Sequence, residues 1–135
     1  MRRGRLLLAC ALSGMLLALS GVAAESSWQA RVPSAAAARQ NPFAGSPQAT
    51  AAGRKLFLDR CARCHGDDAA GMGKRPTLHS ARVLTARDGE LEWFLNNGDP
   101  AKGMPSWSKL PDQQRWQIVV YLKSLEPRPA AETDR

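Results

Sequence analysis

Cys61-Ala62-Arg63-Cys64-His65 carries the strongest chemical signal in the chain. Two cysteines three positions apart lie on about one helical turn, so each thiol can form a thioether with one vinyl group of a porphyrin. The next residue, His65, then falls under the ring and offers an imidazole nitrogen to the iron. A Cys-x-x-Cys-His run therefore reads as the attachment site of one covalent haem c. A thiol pair alone would suit a dithiol oxidoreductase or a zinc ion. The first normally sits within a βαβ pattern. Beyond the first 24 residues the chain has one Ile, Ile118, and four Val, too few for a convincing sheet. A zinc ion wants two more ligands at similar spacing, and the same region offers only His79 and carboxylates.

The 135 residues leave room for one domain. Residues 1–24 have the pattern of a signal peptide. Met1-Arg2-Arg3-Gly4-Arg5 is basic, Leu6 to Leu19 is mostly apolar, and Val22-Ala23-Ala24 ends in small residues. Cleavage near Ala24 and a periplasmic location are expected. As a retained anchor the apolar run is barely long enough, and Ser13, Gly14 and Ser20 weaken it. The apolar stretch before Cys10 is too short for a lipoprotein leader. Cleavage removes Cys10, so both remaining cysteines belong to the haem motif and no structural disulfide is available.

The leader holds three of the 19 basic residues and no acidic one, so the formal charge beyond it falls from +7 to +4. Export, and the lack of any later basic run longer than two residues, exclude a nucleic-acid partner. A positive exported protein suits an acidic docking surface on a redox partner. A monomer is expected, meeting a membrane only transiently or through that partner. So small a domain buries modest apolar area, and a central haem would supply a large flat apolar body. A poorly folded apo form follows.

Along the chain, residues 25–47 read as an N-terminal extension. Ala35-Ala36-Ala37-Ala38 favours a helix with Ser34 as cap and Asn41-Pro42 as stop. Trp28 and Phe43 are lone aromatics expected to pack on the main domain, residues 48–126. Gln48 to Arg63 reads as its first helix, with Gly53, Leu56, Phe57, Arg60 and Cys61 on one side. Gly53 costs about 1 kcal/mol against Ala inside a helix, tolerable if another helix crosses closely there. Gly66 to Pro76 is a Gly-rich loop without phosphate-loop spacing, and Ser80 to Thr85 allows a short turn. Asp88 to Asn97 is a second helix, with Leu91, Phe94 and Leu95 as its stripe. Glu90 and Glu92 suit its dipole, and Gly98 stops it. Pro111 opens the last helix, which is apolar on most sides from Trp116 to Leu125. Residues 127–135 read as a flexible polar tail.

The iron's second axial side has three candidates beyond the leader: Met72, Met104 and His79. Met104 stands 39 positions after His65, enough chain to pass through one helix and return on the opposite face. Gly103 and Pro105 hold its backbone stiffly. Met72 follows His65 by seven positions, too close for an easy crossing. His79 can reach either face and stays an alternative, although a lone His is more often at the surface. Metal ligation by His65 and Met104 is therefore expected.

Phe57, Cys61 to His65, Pro76-Thr77-Leu78 and Gly103-Met104-Pro105, in this order, resemble a class I c-type cytochrome. The similarity covers Gln48 to Leu125. It implies an all-α, cytochrome c-like fold of about three to five helices around one covalent haem. Gly53 and Phe57 resemble the Gly/aromatic pair of the family's first helix, which packs on an aromatic of the last helix where Tyr121 stands. Pro76 resembles the proline whose carbonyl accepts a hydrogen bond from the proximal histidine, fixing its tautomer, and Leu78 would pack at the haem edge. Pro111 departs from the Ser or Thr that often caps the last helix. The run from Gly103 to Trp107 is similar to small monohaem cytochromes that serve quinoprotein dehydrogenases or respiratory oxidases.

The expected function is that of an electron-transfer protein and not an enzyme: a one-electron carrier between a dehydrogenase or respiratory donor and a terminal acceptor. His and Met on the two axial sides leave no open substrate position and raise the potential. A gas-binding or peroxidatic haem protein is the alternative from another class. A fixed electron-entry subunit of a larger complex is a third.

Overall fold

The computed structural model describes residues 27–128. The expected signal peptide at 1–24, with Cys10, and all of the tail beyond Arg128 lie outside them. The described chain is helical: α1 (Ser34–Ala37), α2 (Pro47–Arg60), α3 (Ala62–His65), α4 (Ala81–Leu84), α5 (Asp88–Asn97) and α6 (Asp112–Lys123). Two 3-10 turns, Trp28–Arg31 and Pro100–Lys102, complete it. Among the described residues there is no strand, and isolated backbone bridges join Met72 to Arg75 and Asp99 to Met104. No described helix is long and apolar enough to cross a membrane.

The fold is organised by the crossing of α2 and α6. A Cβ on Gly53 would lie 1.9 Å from the Gln117 carbonyl oxygen and 3.0 Å from Tyr121 Cβ. Only a hydrogen side chain permits that approach, which accounts for a helix-weakening residue at mid-helix. One turn on, the Phe57 ring meets Tyr121 with centroids 5.2 Å apart and planes tilted by 50°. Leu91 and Leu95 of α5 close the core against Trp116, Ile118, Val119 and Leu122 of α6.

Several boundaries differ from the sequence expectations for local reasons. The first long helix begins at Pro47, because Ser46 Oγ accepts the Ala49 N–H at 3.1 Å and Pro47 occupies the first turn. It breaks at Cys61 (φ −114°, ψ −35°) and resumes as α3, so the motif straddles two helices. Ser34 is the first residue of α1 and not its cap. Pro111 stands at the cap of α6, one position before the helix, and supplies no side-chain bond. Glu90 serves the start of α5 as expected, its carboxylate accepting the Arg87 N–H at 2.8 Å. Glu92 does not. It is 2% exposed and pairs with Arg115 of α6 at 2.8 Å and Arg39 at 2.7 Å.

The segment before α2 packs against the domain. A Cβ on Gly89 would lie 2.2 Å from the Ala36 carbonyl oxygen, so α1 rests on the start of α5. Asn41 Nδ2 donates to the Trp116 carbonyl at 3.1 Å, and the Arg39 guanidinium lies 4.9 Å over the Trp116 ring. Trp28 packs on Phe94 with centroids 4.8 Å apart, and Phe43 packs on the core.

Candidate functional site

Cys61 closes α2 and Cys64 lies in α3; both thiols are unbridged and half-buried. Burial, and then the neighbouring Cys64, push the Cys61 thiol up to about 11. Among the described residues, no group of three or more His, Cys, Asp or Glu side chains could hold a metal ion. The dithiol and zinc alternatives thus find no support from their surroundings.

His65 ends α3, where Gly66 (φ +79°) turns the chain. The following loop folds back beneath it. Gly71 N–H donates to the His65 carbonyl at 2.8 Å, and Leu78 N–H donates to Ala69 at 2.9 Å. At Gly71 (φ +90°) a Cβ would lie 2.5 Å from the Arg75 carbonyl oxygen, so the loop closes only with glycine there. Closure carries Pro76 to His65, whose Nδ1 lies 3.1 Å from the Pro76 carbonyl oxygen. That oxygen can only accept, so Nδ1 carries the proton and Nε2 keeps its lone pair. Burial lowers the imidazole's pKa, the Pro76 bond opposes this, and the Arg75 charge adds to the lowering. A neutral ring with a free Nε2 is the form that binds a metal.

Met104 sits in the loop between α5 and α6. The turn Pro100–Lys102 ends at Gly103 in the left-handed region (φ +79°, ψ 14°). The chain then pairs with its own start: Asp99 N–H donates to Met104 at 2.9 Å, and Met104 N–H donates to Asp99 at 3.0 Å. Met104 is half-buried and packs on the core, as do Leu56, Cys61, Leu78, Trp107 and Leu110.

His79 lies elsewhere and is not at the surface. It is 2% exposed, with Nδ1 2.5 Å from the Glu126 carbonyl oxygen and Nε2 2.7 Å from that of Asp68. Both nitrogens face carbonyls that tie the loop after His65 to the segment just beyond α6. Met72 is 55% exposed. Arg63, Lys74, Arg75 and Lys102 are all exposed.

Three contacts around Met104 were not legible in the sequence. Arg75 Nη1 donates to the Lys102 and Gly103 carbonyls at 3.3 and 3.4 Å. Asp99 closes the loop's neck, and Arg31 reaches Asp99 Oδ2 at 2.9 Å. Arg31 and Arg75 are distant in sequence from the residues they reach, and the one local signal was Asp99 following the helix-ending Gly98.

Two thiols a turn apart beside an imidazole with one nitrogen fixed and one free suit a haem, and half-buried apolar side chains pack on the same core as Cys61. The family described as cytochrome c oxidase, cbb3-type, subunit III matches residues 48–122. The chain is 37% identical over 83 residues to the cbb3-type cytochrome c oxidase subunit FixPc of Rhizobium leguminosarum bv. viciae, covering 58% of this chain and 29% of that protein. It is 38% identical over 80 residues to the FixP subunit of Rhizobium etli, covering 56% and 27%. It thus spans less than a third of the length of these relatives. Among solved structures, cytochrome cL from the marine methylotroph Methylophaga aminisulfidivorans MPT is similar in fold. Its TM-score is 0.56 at 24% identity, covering 64% of this chain and 59% of that one. The chain belongs to the cbb3-type cytochrome c oxidase subunit III family and is an electron-transferring class I c-type cytochrome whose cofactor is covalent haem c.

Proposed function

We propose that this chain is a periplasmic one-electron carrier in which Cys61 and Cys64 hold the haem, and His65 and Met104 are the axial ligands. When bound, the haem iron supplies a one-electron Fe(III)/Fe(II) couple. His65 offers Nε2 while Pro76 fixes its ring direction and increases its basicity through Nδ1–H. Met104 offers a soft sulfur that favours Fe(II) and raises the potential. Leu78 and the half-buried apolar residues exclude water, which favours the less charged reduced state.

The observation that carries this reading is that both ligand residues are anchored through backbone. The Pro76 carbonyl holds the His65 ring, and two Asp99 hydrogen bonds hold Met104. Residues held in this way would supply a nitrogen and a sulfur donor to the iron in either oxidation state. That favours electron transfer over gas binding or peroxidatic chemistry, which need an open position. Carbon monoxide added to the reduced protein at neutral pH tests it: only slow binding, limited by release of Met104, is expected, and ready binding would favour the gas-binding alternative.

The exposed cations Arg63, Lys74, Arg75 and Lys102 support docking on an acidic surface of a dehydrogenase or oxidase. Likeness to oxidase subunits supports a second reading, a fixed electron-entry component of a larger complex. Co-purification with an oxidase at high salt would favour that reading over a free shuttle.

A further inference from the structure

The strap formed by the segment before α2 touches the ligand loop at one charged point. Arg31 pairs with Asp99 at 2.9 Å, the Arg31 side chain being 50% exposed and that of Asp99 11%. Asp99 is also the residue whose backbone exchanges two hydrogen bonds with Met104. One residue therefore receives the strap through its carboxylate and holds the methionine through its main chain. Strap and loop face each other across a concavity of about 250 Å³, with Trp28 and Arg31 on one side and Asp99, Ala101 and Lys102 on the other.

Arg31 is presented from a fixed base. Trp28 is seated on Phe94 of α5, three positions before Arg31, and α1 rests on Gly89 three positions after it. The guanidinium cannot follow the loop far without lifting those contacts. Movement of the Met104 backbone away from the site strains its two hydrogen bonds to Asp99, and displacing Asp99 breaks a partly buried ion pair. The strap thus opposes opening of the loop without contacting Met104.

We propose that Arg31 is a positioning residue, acting through Asp99 to hold Met104 in its ligating place, so that the segment outside the family-matched region (residues 48–122) sets how readily the sixth position opens. This rests on Met104 being the axial ligand. A half-exposed ion pair is worth a few tenths to about 1 kcal/mol, which corresponds to about a two- to fivefold change in an opening equilibrium.

The test uses the holoprotein with haem attached. Carbon monoxide association with the ferrous form and the far-red sulfur-to-iron band of the ferric form are measured in wild type, Arg31→Gln, Arg31→Lys, Arg39→Gln and Met104→Ala. Arg31→Gln should speed carbon monoxide association about two- to fivefold and weaken the far-red band, with Arg31→Lys restoring most of both. Arg39→Gln breaks the strap's other ion pairs, to Glu92 and Asp112, away from the loop. It should lower denaturant resistance while leaving both readouts at wild type. Wild-type values in Arg31→Gln, or equal effects in Arg39→Gln, overturn the proposal, the second showing general loosening. If Met104→Ala leaves the band and the carbon monoxide rate unchanged, the ligand assignment falls and this inference with it. If Met104→Ala opens the iron and Arg31→Gln does nothing, the strap inference alone falls.

Discussion

His65 Nδ1 lies 3.1 Å from the carbonyl oxygen of Pro76. The contact orients the ring, and it depends on the Gly71 turn bringing the loop back. Pro76→Ala keeps a carbonyl but frees its φ. Haem should still attach, and the potential should rise, because a weaker Nδ1 bond makes the imidazole a poorer donor to Fe(III). A difference of up to about 1 kcal/mol corresponds to about 40 mV for one electron. Redox titration checks it, and a fall in potential would count against the assigned role.

The α2–α6 crossing should be intolerant of a single methyl. Gly53→Ala places a Cβ against backbone at Gln117, and backbone cannot rotate away. A loss of about 3 kcal/mol is expected in denaturant unfolding, the upper end for overpacking. Tyr121→Ala should cost about 3 kcal/mol or more, and a double-mutant cycle with Phe57 should show coupling of about 1 kcal/mol. Simple additivity of Phe57 and Tyr121 would contradict the ring contact.

Arg115 lies 8% exposed between Glu92 and Asp112, and also donates to the Leu110 carbonyl. Arg115→Ala would leave Glu92 buried with Arg39 as its remaining partner. A loss of about 3 kcal/mol is expected. Glu92→Gln/Arg115→Met should recover part of it, and no recovery would mean the ion pair is not the source of the loss.

Acid should weaken the fold through Asp68 and Glu90. The Ala70 N–H, and then Arg128, hold the Asp68 carboxyl below its ordinary 3.8. Burial pushes Glu90 up, but the bonds from Arg87 outweigh it and leave it below 4.5. In both cases the unfolded state binds protons first as pH falls. The contribution is therefore complete above the unfolded values and is lost as pH drops through the folded ones. Glu90→Gln should flatten the acid limb of stability in urea melts below about pH 4.5. An unchanged limb would show that the Arg87 contact does not survive in solution.

Much of this site lay within short sequence distance, which is why it was legible. The motif at Cys61 to His65 carries its chemistry in five adjacent residues, and Gly53 pointed to a close crossing because a glycine is costly at mid-helix. The buried roles of Glu92 and His79 were not readable. Both are polar residues whose partners come from far along the chain: Glu92 from Arg39 and Arg115, His79 from Asp68 and Glu126. Glu92 near a helix start looks like a dipole partner until its position relative to α6 is known. The strap's grip on Asp99 was hidden for the same reason, since 68 positions separate it from Arg31. The break at Cys61 was missed because the helical period runs on through it.

Intact mass spectrometry of the purified protein bears most directly on the covalent haem held by Cys61 and Cys64. The mass should exceed that of the polypeptide by one haem, which should survive acid-acetone extraction and be lost when both cysteines are replaced by Ala. A polypeptide of unmodified mass, or a haem that extracts freely from the wild-type protein, would contradict it.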